Sequence, residues 1–323
     1  MYRDLLVGST GFVGGNLRAG HEFSAVCHSS DIAAQYGTAP DLCVYAGVPA
    51  AMFLANADPE ADLAVMRAAR ENLRQIAPKS LVLISSIAVF ADSRGRCEDD
   101  APGTDGLPAY GRNRLQLEHW VREDFPDALI VRLPALYGVG LKKNFLFDLH
   151  TITPAMLKAE KYNELAEKSD LVKTGYTLAD NGFYKLNGTA DKAALKAFFA
   201  DNDFNALAFT DSRSRYQFYN LGRLWQDIKA ARAAGLTMLH LCTPPISAAE
   251  VYTAVTGKTD WVNELPKPPF DYDLHSCHAA ILGGSGHYLC TKRQELDDIT
   301  NFLRDWRIED GELSTGNFQY CLA

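Results

Sequence analysis

Three residues in the N-terminal half of the chain have the types and spacing needed to move a proton at a substrate hydroxyl. Tyr110 and Arg114 are four residues apart, so they share a face of the helix that their segment predicts. A cation one turn away favours the phenolate, which allows a tyrosine to exchange a proton with a substrate hydroxyl. Ser86 ends an apolar run and could hydrogen-bond the same oxygen. We therefore interpret Ser86, Tyr110 and Arg114 as catalytic candidates.

A glycine-rich loop near the N-terminus has the composition of a phosphate cradle. The apolar run Leu5–Val7 leads directly into a GxxGxxG pattern and then into a helix start. Glycines permit a tight turn close to a pyrophosphate, and the helix N-terminus adds N–H groups and a positive dipole. The pattern predicts dinucleotide binding, and a turn that only packs a strand on a helix is the alternative. The predicted contact residues are Gly8, Thr10, Gly11, Phe12, Val13 and Gly14.

The end of the second apolar run bears on which dinucleotide is bound. NAD-preferring enzymes usually place an acid there for the ribose hydroxyls. In this chain small polar residues follow Cys27 and Asp31 comes late, so the sequence slightly favours NADP(H) over NAD(H). However, this stretch of the sequence contains no arginine that could bind a 2′-phosphate. The further residues predicted to line the cofactor are His28, Ser29, Ser30, Ala46 and Gly47.

Short apolar runs alternate with amphipathic segments, as a parallel sheet covered by helices requires. We predict an α/β protein with a Rossmann-type doubly wound parallel sheet and a smaller, mostly helical substrate lobe. The Rossmann domain is predicted over residues 1–150 and 206–245, and the lobe over 151–205 and 246–323. The predicted strands are Leu5–Val7, Ala25–Cys27, Leu42–Tyr45, Leu81–Ile84, Leu129–Arg132 and Leu236–Leu241.

Composition and charge exclude several classes of protein. The 323 residues are 47% hydrophobic and 22% charged, which is typical of a globular chain. A net charge of −8 argues against a general nucleic-acid binder. Seven scattered cysteines without a CxxC pair suit a reducing cytoplasm. The longest uncharged stretch is short for a membrane span and contains Gly47 and Pro49. We expect a soluble, cytoplasmic protein that binds neither nucleic acid nor membrane, and a homodimer is left open.

Two further groups of residues are ambiguous. The run His275-Ser276-Cys277-His278 has metal-ligating types, but no second ligand cluster lies at a suitable spacing, so we predict no metal site. Arg213 could bind a substrate phosphate through its forked guanidinium, and a surface salt bridge is the alternative.

The order of these motifs resembles the extended short-chain dehydrogenase/reductases, the family of NAD-dependent epimerases and dehydratases. GxxGxxG is followed by a strand ending in Ser85-Ser86, by the Tyr110 helix and by the run Arg132–Gly138. The resemblance covers residues 1 to about 145 and returns more loosely later in the chain. It implies that Ser86 is the catalytic serine, that Tyr110 is the acid/base and that Arg114 holds the nicotinamide ribose. The family almost always has lysine at that last position.

The resemblance also narrows the reaction. Family members that remove water have an Asp-Glu pair where this chain has Ile87-Ala88, so dehydration is disfavoured. An asparagine of the family that contacts the substrate diphosphate corresponds to Asn144, beside Lys142 and Lys143. A solvated lysine pair is the alternative there. We predict an NAD(P)-dependent sugar-nucleotide epimerase or reductase. A catalytically silent NAD(P)-binding sensor or scaffold, or a reductase of a non-sugar carbonyl, remain the alternatives.

Overall fold

The computed structural model describes residues 3–306. Its strands are β1 (Asp4–Val7), β2 (Ala25–Cys27), β3 (Leu42–Tyr45), β4 (Leu81–Ser86), β5 (Leu129–Leu133), β6 (Ala135–Tyr137), β7 (Met156–Lys158), β8 (Tyr176–Leu178), β9 (Phe183–Leu186), β10 (Arg215–Tyr216), β11 (Phe218–Asn220), β12 (Met238–His240) and β13 (Ile246–Ser247). Its α-helices are α1 (Phe12–Gly20), α2 (Met52–Ala57), α3 (Pro59–Ile76), α4 (Ala109–Asp124), α5 (Phe145–Thr151), α6 (Ala159–Lys168), α7 (Asp170–Gly175), α8 (Lys192–Ala200), α9 (Leu224–Ala233), α10 (Ala248–Thr256) and α11 (Lys292–Asp305).

A six-stranded parallel sheet carries the N-terminal motifs. Its strand order is β12-β5-β4-β3-β1-β2, and every adjacent pair runs parallel. The strand order reverses at β1, because β2 lies on one side of it and β3 on the other. Ligands of open α/β sheets bind at such a reversal, outside the carboxyl ends of the strands. The predicted fold class is confirmed, and all six predicted strands are present.

Both faces of this sheet are buried, which explains why its strands are almost continuously apolar. Leu6, Val44 and Val82 belong to one core cluster, which packs against α1 and α9. The neighbouring Leu5 and Cys43 belong to the other cluster, which packs against α3 and α4. Alternate residues of a strand point to opposite faces, so a sheet covered by helices on both sides needs apolar residues at every position.

The described residues divide into two compact units. One consists of the described residues of Met1–Leu141, Arg215–Ile246 and Asp271–Ala323, and the other of Lys142–Ser214 and Ser247–Phe270. The bounds differ from those predicted mainly because the residues from Asp271 onward group with the sheet and not with the lobe. The predicted outer bounds at residues 1 and 323 lie outside the described part of the chain. No helix among the described residues is long and apolar enough to cross a membrane.

The second unit contains a small sheet that the sequence analysis does not predict. Strands β7, β9 and β8 form an antiparallel sheet, and α6, α7 and α8 pack with it around Leu157, Leu165, Val172 and Phe199. The turn between β8 and β9 contains Asn181-Gly182, a pair typical of tight hairpins. The lobe is therefore mostly helical, as predicted, with a small sheet whose short strands were concealed by the charged, alanine-rich composition of this segment.

Candidate functional site

The glycine loop lies where β1 turns into α1, at the reversal in strand order. Gly8 has a φ of 87°, and a Cβ on it would lie 2.6 Å from the carbonyl carbon of Ala46, in the loop after β3. A Cβ on Gly14 would lie 2.8 Å from the carbonyl carbon of Gly8. Real Cβ atoms do not approach other heavy atoms this closely, so both positions require glycine. Gly11 precedes α1 without a side-chain cap, which leaves the first N–H groups of the helix available to an anion.

Thr10, Gly11, Phe12 and Val13 follow one another through this turn, with Thr10 and Gly11 exposed. Ala46 and Gly47 are half-buried directly beyond β3, and the Ala46 N–H donates to the carbonyl of Val7 over 2.9 Å. The structure therefore brings the loops after β1 and β3 together. This arrangement has the backbone amides and the lack of side chains that a pyrophosphate needs.

An acid lies at the end of β2 after all. Asp31 turns back so that its Oδ1 accepts the His28 N–H over 2.7 Å, and its Oδ2 lies 3.3 Å from His28 Nε2. The Ser30 hydroxyl hydrogen-bonds His28 Nδ1 over 2.8 Å, while Ser29 is exposed. Burial, and then the charge of Asp31, raise the pKa of the Cys27 thiol to about 11. Sequence reasoning set Asp31 aside as too late in the chain, because the tight turn that returns its carboxylate could not be seen.

Tyr110 and Arg114 face each other on α4, as their spacing predicts. The guanidinium carbon of Arg114 lies 3.7 Å from the centroid of the Tyr110 ring, and both residues are buried. Arg114 Nη1 donates to Asp62 Oδ2 over 2.6 Å and to the Tyr110 carbonyl over 3.1 Å. Its Nη2 donates to the carbonyl of Pro49 over 2.7 Å. The guanidinium is thereby held over the ring, and the Tyr110 hydroxyl has no hydrogen bond within residues 3–306.

Three polar residues outside the predicted site hold this pair in place. Asp62, in the first turn of α3, accepts from Arg114 and also from Asn113 Nδ2 over 2.9 Å. Asn56 Oδ1 accepts the N–H of Tyr110 over 2.9 Å. Nothing in the local sequence marks Asp62 or Asn56, since an acid near a helix N-terminus is common for electrostatic reasons alone.

Ser86 ends β4 on the side where α4 begins. Its Oγ accepts the N–H of Ala88 over 3.2 Å, and its own proton is donated to no other described residue. A Cβ on Gly111 would lie 2.9 Å from the carbonyl carbon of Ala88, so the first turn of α4 packs directly on the turn that follows Ser86. The preceding Ser85 is engaged elsewhere, since its hydroxyl donates to Glu118 Oε1 over 2.5 Å. Ser86 is thus the serine with a hydroxyl available beside the Tyr110 turn.

Apart from Ser86, the predicted substrate residues belong to the second unit. Lys142 and Lys143 are exposed, and Asn144 begins α5, where its Oδ1 accepts the N–H of Phe147 over 3.1 Å. Arg213 is engaged in ion pairs within that unit. Its Nε and Nη2 reach both oxygens of Asp211 at 3.0 and 2.7 Å, and its Nη1 lies 2.9 Å from Glu264. The Arg213 guanidinium holds the pKa of Asp211 well below its ordinary value.

Residues 5–155 match the family model described as the RmlD substrate binding domain. The matched segment contains the glycine loop, Ser86, Tyr110 and Arg114. The predicted resemblance to the extended short-chain dehydrogenase/reductases is confirmed. No curated protein matches the sequence.

Solved structures agree with this chain over nearly its whole length. The dTDP-4-dehydrorhamnose reductase of Yersinia enterocolitica has a TM-score of 0.60 at 14% identity, over 94% of this chain and 99% of that one. The same enzyme of Bacillus anthracis str. Ames, in complex with NADP, has a TM-score of 0.60 at 13% identity, over 95% and 100%. The UDP-N-acetylglucosamine 4-epimerase of Methanobrevibacter ruminantium M1 has a TM-score of 0.61 at 8% identity, over 94% and 97%. At these identities the similarity shows a common fold.

Proposed function

We propose that this protein is an NAD(P)-dependent sugar-nucleotide epimerase or reductase. The observation that carries the proposal is the fixed stack of Arg114 on Tyr110, tied through Pro49 to the loop after β3. That loop in turn contacts the glycine turn after β1. A candidate proton-transfer group and a candidate pyrophosphate cradle are therefore joined within one compact unit. The similar structures include two sugar-nucleotide reductases and an epimerase, which supports the same class of substrate.

We assign to Ser86 and Tyr110 the binding and transfer of the proton at the substrate oxygen. Within the described part of the chain neither hydroxyl donates to another group, whereas the hydroxyl of the neighbouring Ser85 donates to Glu118. The Tyr110 hydroxyl would transfer the proton and Ser86 would hydrogen-bond the same oxygen, and a bound nicotinamide would supply the hydride chemistry at the carbon. Arg114 supplies a permanent charge next to the ring. Because arginine does not deprotonate in proteins, it takes no part in a proton relay.

For the cofactor we propose NADP(H) rather than NAD(H), which is the choice that the residues after Cys27 favour. Bound NADP in the Bacillus anthracis reductase supports it. His28, Ser29 and Ser30 offer polar groups for a 2′-phosphate, and the glycine turn with Ala46 and Gly47 would receive the pyrophosphate. The carboxylate of Asp31 opposes the 2′-phosphate by charge repulsion and limits the preference.

For the substrate diphosphate we propose Lys142, Lys143 and Asn144 as contacts. The two exposed ammonium groups provide positive charge, and both an ammonium and the side-chain amide of Asn144 can donate hydrogen bonds to phosphate oxygens. Arg213 is proposed for the same ligand in a supporting role, since the ion pairs with Asp211 and Glu264 already use most of its donors.

The proposal is tested by adding UDP-, GDP-, CDP- and dTDP-sugars, including 4-keto forms, to the protein with NADPH or NADH and, in parallel, with NADP⁺ or NAD⁺. We expect turnover with one nucleotide sugar. A reductase consumes one reduced cofactor for each sugar, whereas an epimerase leaves the cofactor total unchanged and converts the sugar to an isomer.

Tyr110→Phe should lose turnover and keep cofactor affinity. The matched control is Tyr36→Phe, which loses a hydroxyl that donates to Asn72 and lies far along the chain from the catalytic residues. It should behave as wild type. Full activity of Tyr110→Phe would contradict the proposal.

A second candidate is a protein that binds NAD(P) without turnover. The observation in its favour is that Arg114 already donates three hydrogen bonds, to Asp62, Pro49 and Tyr110, so few of its donors remain for a nicotinamide ribose. The same experiment separates the two candidates. Tight cofactor binding would favour the silent binder if no nucleotide sugar of the panel, and no non-sugar ketone or aldehyde added alongside it, produced either a redox change or an isomer.

A further inference from the structure

Two cysteines from distant parts of the chain meet outside the proposed catalytic site. The Gly95 N–H donates to the carbonyl of Asp273, and the His275 N–H donates to the carbonyl of Arg96, each over 2.8 Å. These backbone bonds hold the segment before Cys97 alongside the segment before Cys277. As a result, the thiols of Cys97 and Cys277 and the carboxylate of Asp99 converge, with one ligand atom from each within 4.8 Å of the others.

The spacing of the three groups is close to that of a tetrahedral metal site. Cys277 Sγ lies 3.8 Å from Asp99 Oδ2. Around tetrahedral zinc, a thiolate and a carboxylate oxygen stand about 3.6 Å apart, and two thiolates about 3.8 Å apart. Since the ligand atoms lie within 4.8 Å of one another, they would approach by at most about 1 Å to complete the geometry. Asp99 and Cys277 are exposed and Cys97 is half-buried, so an ion can enter from solvent.

A buried carboxylate between the two cysteines keeps their backbones in position. Glu98 Oε1 accepts from the His240 N–H over 2.8 Å and from the Ser276 hydroxyl over 2.7 Å. Its Oε2 accepts the N–H of Cys277 over 2.8 Å, and its side chain is 1% exposed. Asp100 accepts the N–H of Cys97 over 2.8 Å. The ligands are thus held by a framework that exists before any ion arrives, which lowers the entropic cost of binding.

The charges around the two thiols favour a divalent cation. The carboxylate of Glu98 accepts the N–H of Cys277, and the carboxylate of Asp99 lies beside the Cys277 thiol, so both acids attract a cation. Coordination removes the thiol protons, because the thiolate is the form that binds a metal.

We propose that Cys97, Asp99 and Cys277 bind a thiophilic divalent cation of the zinc class, with a fourth position open to water. Binding deprotonates both thiols and releases two protons to solvent, without any redox change. The site joins the Cys97–Asp100 turn to the Cys277 turn. It lies outside the residues proposed for catalysis and stands whether or not the proposed function holds. The sequence predicts no metal here because the second cluster of ligands, Cys97 and Asp99, lies far from Cys277 along the chain.

The test uses the untagged full-length protein, reduced with a phosphine, freed of metal and titrated with Co²⁺ as an optical probe. We expect one equivalent to bind with a thiolate-to-cobalt charge-transfer band, and Zn²⁺ to displace it. Cys97→Ser and Cys277→Ser should each remove part of the band and weaken binding by about tenfold or more. Asp99→Asn should keep the band and weaken binding. Cys290→Ser, whose thiol bonds Glu295 instead, is the matched control and should titrate as wild type.

A second measurement requires no variant. Zn²⁺ should protect two thiols of the folded wild-type protein from alkylation, and peptide mapping should identify them as Cys97 and Cys277. The proposal is overturned if Co²⁺ binds without a charge-transfer band, if it binds equally well to Cys97→Ser and Cys277→Ser, or if no stoichiometric binding occurs. It is also overturned if the protected thiols are other cysteines.

Discussion

Asp62→Asn isolates the contribution of the ion pair behind Tyr110, because it removes one charge and keeps the shape of the side chain. Asp62 Oδ2 lies 2.6 Å from Arg114 Nη1 and 2.9 Å from Asn113 Nδ2. The side chains of Arg114 and Asp62 are 5% and 10% exposed, so solvent does not replace the lost charge. The asparagine oxygen can still accept one hydrogen bond, but the guanidinium is left buried without a counter-ion.

The size of the effect follows from that burial. Removing one partner of a buried ion pair costs about 3–5 kcal/mol. The carbonyls of Pro49 and Tyr110 still accept from Arg114, so we expect the lower end, about 3 kcal/mol, or a Tm lower by about 6 °C. Asp92→Asn breaks an ion pair with Arg94 in which both side chains are more than half exposed, and should leave the Tm unchanged. The two variants differ in burial and not in chemistry.

The assay is thermal unfolding, which requires no knowledge of the substrate, followed by NADPH titration and turnover. The Arg114 guanidinium of Asp62→Asn should be less firmly held against the Tyr110 ring, so kcat should fall by about tenfold while KM and cofactor affinity change little. Arg114→Lys should have a Tm below that of wild type, because one ammonium cannot reach Asp62 and Pro49 in the same planar geometry. A Tm for Asp62→Asn within about 1 °C of wild type, or an equal loss in Asp92→Asn, would refute the reasoning.

Three further predictions concern other parts of the sheet unit. Gly14→Ala should weaken NADPH binding by at least about tenfold, since its Cβ would press on the Gly8 carbonyl, whereas a Cβ on Gly15 meets nothing within 4 Å. Gly15→Ala should keep the NADPH affinity of wild type and gain about 0.5–1 kcal/mol of helix stability. Equal NADPH affinities of Gly14→Ala and Gly15→Ala in isothermal titration would contradict the proposed pyrophosphate cradle. Asp31→Asn should raise the ratio of NADPH to NADH affinity by about fivefold, and an unchanged ratio would place the 2′-phosphate elsewhere. Burial raises the pKa of Glu295 from 4.5 to about 8, so the folded state holds a proton that the unfolded chain releases between those values. Its stabilising contribution is complete below pH 4.5 and is lost as the pH rises to 8. Glu295→Gln should therefore be more stable than wild type at pH 9 and similar at pH 4, with unfolding in urea at both pH values as the check.

The sequence alone determined the sheet unit to a large extent. Its six strands, the GxxGxxG turn and the α4 spacing of Tyr110 and Arg114 are local patterns, and a buried parallel strand or an amphipathic helix leaves its period in a few consecutive residues. The cradle was predictable for the same reason, since strand, glycines and helix follow one another without interruption.

Tertiary structure alone decided which distant residues meet. Asp62 lies on a different helix from Arg114, and Cys97 lies on a different segment from Cys277, so neither pairing has a signature in local spacing. The turn that returns Asp31 to His28 and the antiparallel sheet of the second unit were also missed, because short turns and short strands carry too few residues to show a period. The elements of the site are thus a local property of the chain, whereas the counter-ions and ligands depend on how its elements pack.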